Sequence, residues 1–480
     1  MKKLIISKLF LYKNRFIIGY ILLALAFLIL LFALPQTAQT GLSDSEIESA
    51  TNSFYLGKTD IVSGNLVDLP YRLIQKLSIL IFGLSSFSIK LPSIIIGLFL
   101  GFLLVLLLNR WFKNNVSILS STLIILSTPF LFLAGSGTPL IMLVFWPTLL
   151  LWLGSKIQGE NKPKPSYCFL FAIALLLSIF TPFMVYFAIF CVVFVLIQPH
   201  LRFVLKNLPK IPLILTGILI IAGITALLIS IIKYPETIKS LLFTSSFDPS
   251  QFFTNIGSAL ALAFSWHNNI ESVFLTPLIS LPLFAIALIG LFSTTKGFFA
   301  SRNSIASIFI VFTLILSGFN PDSIVFLIIP LAILVAHGLK YILEKWYGLF
   351  PENPYARVSA FIPLALLFCL MIIPSLAQYF YGYHYNPSIA DQFSDSLSII
   401  RKNLSDETLI VPEENLAFYQ ILDRSTDLTI SSNTSENPSK TVAYLGKPET
   451  IPENYELSRI ITSAKRDNSD IIYLYTKKGE

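Results

Sequence analysis

Apolar runs of about 20 residues, separated by short polar loops, recur along the first 380 residues. One such run is what a helix needs to cross the hydrocarbon core of a bilayer. Only 13% of residues are charged, whereas soluble domains have roughly 25%. The mean hydropathy is +0.73. This composition excludes a soluble globular protein, a disordered chain and a disulfide scaffold. We predict an all-α polytopic membrane protein with about eleven transmembrane helices, near residues 16–34, 89–109, 116–134, 138–154, 166–180, 182–197, 212–233, 272–293, 304–319, 323–343 and 359–379. The stretch 166–197 has Thr181-Pro182 at its middle and could be two short helices or one long kinked one.

The basic residues indicate how these spans are oriented. The net charge is +7, but the lysines and arginines lie in short loops between apolar runs, a pattern that argues against nucleic-acid binding. Because basic residues stay on the cytoplasmic side, we predict a multi-pass protein of the cell (plasma or inner) membrane with a cytoplasmic N-terminus. The three long segments 35–88, 234–271 and 380–480 then lie outside the cytoplasm.

The last hundred residues differ in composition from the rest. Acidic residues outnumber basic ones, and the apolar runs shorten to the length of strands. Residues 408–411, 441–445 and 470–475 are typical of strands, and 391–403 and 413–422 of helices. We therefore predict a transmembrane domain over 1–379 and a small extracytoplasmic α/β domain over 380–480.

The first outside loop, 35–88, carries acidic residues next to the membrane. Residues 41–48 of this loop are Gly-Leu-Ser-Asp-Ser-Glu-Ile-Glu. These acids have a structural explanation, since Ser43 or Asp44 can cap a helix whose first turn favours negative charge. Asp68, two residues before Pro70, is typical of a helix start. The helix that follows has Leu73, Leu77 and Ile81 on one face, as in a helix lying at the membrane interface.

A series of short motifs follows this loop in a fixed order. They are Leu-Pro-Tyr at 69–71, Phe-Gly at 82–83, Ile-Lys-Leu-Pro-Ser at 89–93, Arg-Trp-Phe at 110–112 and Leu-Ser-Thr-Pro-Phe at 126–130. Over about 35–155 the chain resembles the GT-C membrane glycosyltransferases. The branch it resembles contains the protein O-mannosyltransferases and the aminoarabinose transferase of lipid A.

The resemblance implies a sugar donor on a polyprenyl phosphate and an acceptor outside the cytoplasm. It also implies that an acidic residue of the first outside loop acts as the general base. A carboxylate can take the proton of an acceptor hydroxyl as that hydroxyl attacks the anomeric carbon. The family has an adjacent Asp-Glu pair where this chain has Asp44-Ser45-Glu46. Either acid could be catalytic, and we favour Asp44 because aspartate is the usual type.

The phosphate of such a donor needs positive charge around it. Candidates on the outer side are Lys58, Arg72, Lys76 and Lys239, with Lys233 beside the last. Arg72 and Lys76 could instead extend to lipid headgroups. The loop 134–139 carries no charge, although relatives often have an arginine there. His267 could contact a sugar or an acceptor, or it could be an ordinary loop histidine.

The sequence contains no metal-binding pattern. Its four histidines are scattered, and the first-loop acids could hold a divalent cation without anything requiring one. We therefore expect no cofactor.

The predicted function is a membrane glycosyltransferase whose partners are the lipid donor, an extracytoplasmic acceptor (protein, lipid or cell-envelope glycan) and the bilayer. Two alternatives are a transporter or flippase of lipid-linked glycans and an inactive relative that serves in assembly. A transporter should carry ionisable residues in mid-span, whereas nearly all charges here lie in loops.

Overall fold

The computed structural model describes most of the chain from residue 41 onward. The described ranges are 41–56, 66–158, 164–206, 210–233, 248–265, 277–295, 300–349, 361–386, 392–404, 407–424, 428–432, 441–448, 454–462 and 470–478, with single residues in 21–33, 235–242 and at 389. The first predicted span falls largely outside these residues. Three predicted site residues also lie outside them: Lys58, Lys239 and His267.

Helices account for most of the described residues. In chain order they are α1 (Asp44–Phe54), α2 (Leu69–Phe82), α3 (Ser86–Leu108), α4 (Asn114–Ile125), α5 (Thr128–Gly135), α6 (Met142–Gln158), α7 (Pro165–Ser178), α8 (Met184–Ile197), α9 (Pro199–Lys206), α10 (Lys210–Lys233), α11 (Phe252–Phe264), α12 (Leu281–Thr295), α13 (Ser301–Phe319), α14 (Ile328–Leu349), α15 (Phe361–Tyr385), α16 (Ser396–Asn403) and α17 (Glu413–Tyr419).

Several of these helices can cross a bilayer. Within the described ranges, five stretches are both long and apolar enough: Ser86–Leu108, Pro139–Gln158, Ser301–Phe319, Pro321–Leu349 and Ile362–Tyr383. Shorter apolar helices, among them α7, α8 and α12, lie between them. The predicted polytopic helical architecture is confirmed, while the number eleven stays a prediction.

Two apolar runs differ from a simple span. The span predicted over 116–134 is broken, because α4 and α5 meet at an angle of 65°. Pro129 stands in the first turn of α5, where it has no N–H to donate to the Ile125 carbonyl and so cannot continue α4. The run 166–197 forms two helices, α7 and α8, separated by a turn in which Phe183 has a positive φ of 63°.

The membrane core centres on α14, in which every residue from Ile328 to Leu339 is buried. Its backbone touches that of α12. A Cβ on Gly290 would lie 1.9 Å from the Leu334 carbonyl oxygen, and one on Gly338 would lie 2.2 Å from that of Ile286. Small residues at such crossings let apolar helices approach closely.

The C-terminal part contains one five-stranded sheet. Its strands are β1 (Thr408–Ile410), β2 (Thr429–Ser431), β3 (Thr441–Leu445), β4 (Tyr455–Ile461) and β5 (Ile472–Lys477). Their order is β2-β1-β3-β5-β4, with β1 parallel to both neighbours and β5 antiparallel to both of its own. Helix α17 makes the crossover between β1 and β2, as parallel strands require. A small α/β unit therefore follows the helices as predicted, and the domain boundary at residue 379 stays a prediction.

Helix α2 exposes its apolar side and buries polar groups. Leu73, Leu77 and Ile81 are about half exposed, whereas Gln75 and Ser78 are buried. An apolar face left open in this way suits contact with lipid, and the polar face turns toward the first loop.

Candidate active site

The acidic segment of the first loop forms the start of α1. Ser43 is the N-cap, and Asp44 and Glu46 lie in the first turn, where the helix dipole favours negative charge. The two acids have opposite environments. Asp44 is exposed, while only 1% of Glu46 is exposed, because Glu46 shares the buried face of α1 with Ala50 and Phe54.

The Glu46 carboxylate is surrounded by donors. Its Oε1 accepts the backbone N–H of Gly137 at 2.6 Å, and its Oε2 accepts that of Ser43 at 2.9 Å. Lys90 Nζ lies 3.8 Å from Oε2 and donates to the Gly41 carbonyl at 2.8 Å. Lys90 is also buried, so this pair is an ion pair inside the protein, satisfied by additional hydrogen bonds. Both carboxylate oxygens already have partners, which suits an anchor better than a base.

A buried glutamine connects the same elements. Gln75 Oε1 accepts the hydroxyls of Ser49 at 3.0 Å and Ser53 at 2.7 Å. Its Nε2 donates to the carbonyls of Ile89 at 3.1 Å and Gly137 at 2.8 Å. All the hydrogen-bonding capacity of the amide is used, and α1, α2, the start of α3 and the loop after α5 are thereby held together.

Asp44 therefore projects from a fixed support. It lies four residues before Glu48 on the same face of α1. Glu48 interacts electrostatically with Arg72 of α2, so the exposed acids of α1 and this arginine lie on the same side of the helix pair. The assignment of Asp44 as the base stays a prediction.

The predicted phosphate ligands of α2 are half-buried beside the first loop. Arg72 interacts with Asp68 and Glu48, and burial lowers the pKa of its guanidinium below its usual range. Lys76 Nζ donates to the carbonyl of Leu56. One helical turn separates the two cations, so they can act on one anion.

Asp68 occupies the N-cap of α2 but forms no side-chain cap, since its φ is 56°. Its backbone N–H donates to the Phe180 carbonyl at 2.8 Å. Burial raises the pKa of its carboxyl from 3.8 to about 7, and Arg72 partly opposes this shift. Asp68 therefore changes charge near neutral pH.

Tyrosines of α15 and α2 lie around Glu46. Tyr383 stacks on Phe132 with ring centroids 5.1 Å apart, and the Tyr71 hydroxyl pairs with Ser93 Oγ at 2.8 Å. The Tyr379 hydroxyl is buried, interacts electrostatically with Glu46 and has no hydrogen-bond partner among the described residues.

An apolar cavity among the described residues is separate from this site. Its volume is about 480 Å³ and its lining includes Trp111, Gln158 and Leu201. Gln158 bonds Ser301 at the end of the bundle opposite to the Asp68–Phe180 contact. Among the residues that the structure describes, no three histidine, cysteine, aspartate or glutamate side chains are grouped to hold a metal ion.

Lys90 and the loop 136–138 were missed as site elements by sequence reasoning. The signal for Lys90 was its charge near the start of an otherwise apolar run, which needs a partner in the membrane. The loop carries no charge, and its backbone rather than its side chains contacts Glu46, so the sequence contained no signal for it.

Comparisons with known proteins agree with the fold. Residues 70–227 match the family model of the dolichyl-phosphate-mannose-protein mannosyltransferases. No curated protein sequence matches the chain. ArnT from Cupriavidus metallidurans superposes with a TM-score of 0.54 at 14% identity, over 95% of this chain and 97% of that one. The same protein bound to undecaprenyl phosphate gives 0.51 at 12% identity, over 96% and 98%.

An archaeal enzyme shares the fold over part of its length. The Archaeoglobus fulgidus oligosaccharyltransferase, tethered to an acceptor peptide, superposes with a TM-score of 0.55 at 13% identity. The match covers 88% of this chain and 64% of the archaeal one, so the chain spans just under two thirds of that enzyme. At these identities the likeness concerns the fold alone. The resemblance deduced from the sequence is confirmed: the chain has the fold of the GT-C membrane glycosyltransferases.

Proposed function

We propose that this protein is a membrane glycosyltransferase that moves a sugar from a polyprenyl-phosphate donor to an acceptor outside the cytoplasm. The observation that carries the proposal is the contrast between the two acids of α1. Glu46 and Lys90 anchor the loop from inside, and Asp44 stands exposed two residues away on the same rigid turn.

In this proposal Asp44 is the general base. An acceptor hydroxyl is a weak nucleophile at neutral pH, and a fixed carboxylate takes its proton during attack. The hydroxyl oxygen forms a bond to the anomeric carbon, while the bond from that carbon to the phosphate oxygen breaks. The products are the glycosylated acceptor, with inverted configuration at the sugar, and the free polyprenyl phosphate.

Positive charge is required where the leaving phosphate develops its second negative charge. Arg72 and Lys76 lie on the helix packed against α1, half-buried and beside the exposed face that bears Asp44. Partial burial strengthens their interaction with an anion because the local dielectric constant is lower than in water. We assign them to the donor phosphate, together with Lys58 and Lys239 of the outer loops. His267 remains a weaker candidate for contact with the sugar or the acceptor.

Similar structures support a lipid-phosphate donor and a separate acceptor. The ArnT structure contains undecaprenyl phosphate, and the archaeal oligosaccharyltransferase AglB has been solved with dolichol phosphate and an inhibitory peptide. We infer that this chain also binds a polyprenyl phosphate. The orientation expected from the basic loops puts the first loop and the C-terminal sheet on the outer side of the cell membrane.

The test uses purified protein in nanodiscs with synthetic polyprenyl-phosphate sugars and a panel of acceptors. Wild type should release polyprenyl phosphate, and Asp44→Asn should lower kcat by about 10²- to 10⁴-fold. The matched control is Glu413→Gln, because Glu413 is an exposed acid in the first turn of another external helix. Equal rates in Asp44→Asn and wild type would contradict the base assignment, and a loss confined to Glu46→Gln protein that is still folded would move it to Glu46.

A flippase would give a different result. Labelled lipid-linked sugar would cross the bilayer of a proteoliposome intact, and no polyprenyl phosphate would be released. An assembly subunit would do neither.

A further inference from the structure

The C-terminal sheet unit is attached directly to the segment that precedes Asp44. Leu42 and Ser394 form an antiparallel bridge in which each N–H donates to the other's carbonyl at 2.8 Å. Gly41 allows the two backbone segments to approach closely enough for this bridge. Its φ is +90°, and a Cβ there would lie 2.6 Å from the Ser394 oxygen. The bridge ends two residues before Asp44.

A buried carboxylate fixes the other side of this bridge. Asp470, 1% exposed, lies two residues before β5. Its Oδ1 accepts the hydroxyls of Ser394 at 2.6 Å and Ser396 at 3.1 Å, and its Oδ2 accepts the Asp395 backbone N–H at 2.9 Å. Three contacts from one side chain define the conformation of 394–396 at the start of α16.

Side-chain packing joins the two parts as well. Ala50 and Phe54 of α1 belong to one hydrophobic core with Leu397, Phe418 and other residues of the C-terminal unit. The Tyr55 hydroxyl donates to the Ala417 carbonyl at 3.0 Å. The first turn of α1 therefore has a support on each side. The Glu46–Lys90 pair holds it toward the membrane, and the sheet unit holds it from the other side.

We propose that Asp470 is a positioning residue for glycosyl transfer, acting through Ser394 and Leu42 on Asp44. This inference rests on the proposed function. Asp470 lies in the sheet unit and holds the segment that forms the bridge to the first loop. Its effect should fall on the chemical step, because the donor cations belong to α2, which Gln75 also bonds to carbonyls outside α1, those of Ile89 and Gly137.

The first experiment compares Asp470→Asn with Glu456→Gln, which removes an exposed carboxylate from edge strand β4 of the same sheet. Asparagine keeps the shape but is neutral, so Ser394, Ser396 and the Asp395 N–H lose their bonds to a charged carboxylate. We expect kcat to fall about tenfold or more in Asp470→Asn, with the KM for donor changed less than about twofold, since lost hydrogen bonds to a charged group are typically worth a decade in rate. Ser396→Ala, which removes one contact, should give a smaller change in the same direction.

Hydrogen–deuterium exchange gives a readout that needs no catalysis. Amides of 41–47 should exchange faster in Asp470→Asn than in wild type or Glu456→Gln, while those of α14 stay unchanged. Unchanged exchange at 41–47 would overturn the inference. If the wild type transfers no sugar, the proposed function falls, and exchange still decides whether Asp470 holds the loop.

A covalent rescue separates positioning from loss of folding. Paired residues of this hydrogen-bonded type have Cα atoms about 5.5 Å apart, within the range of a disulfide. The disulfide variant Leu42→Cys/Ser394→Cys is made both with Asp470 and with Asp470→Asn, and both proteins are oxidised. The kcat of the protein with Asp470→Asn should then come within about twofold of the kcat of the protein that retains Asp470. Reduction should abolish the recovery. Failure of the oxidised form to recover would overturn the inference.

Discussion

The Glu46 carboxylate accepts the backbone N–H of Gly137 at 2.6 Å, joining the first loop to a turn 91 residues later in the chain. The same turn receives a bond from Gln75, and the opposite oxygen of Glu46 faces Lys90. The charged pair lies at a junction of four elements. We therefore expect the Glu46–Lys90 pair to contribute first to the stability of the site and only then to its chemistry.

Glu46→Gln should destabilise the protein strongly. The substitution leaves Lys90 charged and buried without its counter-ion. It also replaces one carboxylate oxygen by an amide nitrogen, which cannot accept a backbone N–H. Removing one partner of a buried pair typically costs about 3–5 kcal/mol. Thermal unfolding in detergent measures the change.

The double variant Glu46→Gln/Lys90→Met supplies the control. Because it removes both charges, it should be less destabilised than the sum of the two single variants. Additive losses would mean that Glu46 and Lys90 contribute independently.

Asp68 should make stability depend on pH. Its pKa of about 7 in the folded protein exceeds the value of 3.8 expected when unfolded. Between those values the folded carboxyl keeps a proton that the unfolded one has released, so stability falls as pH rises from 4 to 7. Asp68→Asn removes this titration and tolerates the same positive φ. Its Tm relative to wild type should rise from pH 5 to pH 8.

Asp423→Asn, which changes an exposed acid, controls for general charge effects. A Tm difference between Asp68→Asn and wild type that is equal at pH 5 and pH 8 would show that Asp68 keeps an ordinary pKa.

The sequence predicted the elements whose apolar pattern is strong. Strand β3 lies at 441–445 as expected, because its residues are buried in mid-sheet. Strand β4 was missed, since Glu456 and Arg459 interrupt the apolar pattern of an exposed edge. Strand β2 was also missed, because three residues are too few for a periodic pattern. The break between α4 and α5 was not predicted, because it depends on where Pro129 falls within its helix.

The first-loop site was predicted in part. The sequence contains a signal that distinguishes Glu46 from Asp44. Glu46, Ala50 and Phe54 follow each other at four-residue spacing and so share one helix face. Sequence reasoning preferred Asp44 by residue type and did not use that spacing. The partners of Glu46 could not be predicted, since Gly137 contributes a backbone N–H that any residue would have.

Topology can be tested by thiol labelling in a background lacking Cys168, Cys191 and Cys369. A cysteine at Ser432, in the C-terminal unit, should react with an impermeant reagent in intact cells. A cysteine at Gly159 should react only after permeabilisation. The basic loops predict this pattern. The reverse pattern would put the candidate site in the cytoplasm and contradict an external acceptor.

Arg72→Gln/Lys76→Gln tests the donor phosphate site. Charge-assisted contacts are typically worth about 1.5–3 kcal/mol each, so losing both should cut transfer at least about tenfold and raise the KM for donor. Insertion should survive, because α2 keeps its lipid-facing leucines. Lys447→Gln/Lys477→Gln is the matched control, since it removes two exposed cations from the C-terminal unit. If Arg72 and Lys76 only extend to headgroups, they contribute about 1 kcal/mol each to membrane binding and turnover should not change. Unchanged turnover with a synthetic polyprenyl-phosphate sugar would therefore assign the phosphate to Lys58, Lys233 or Lys239.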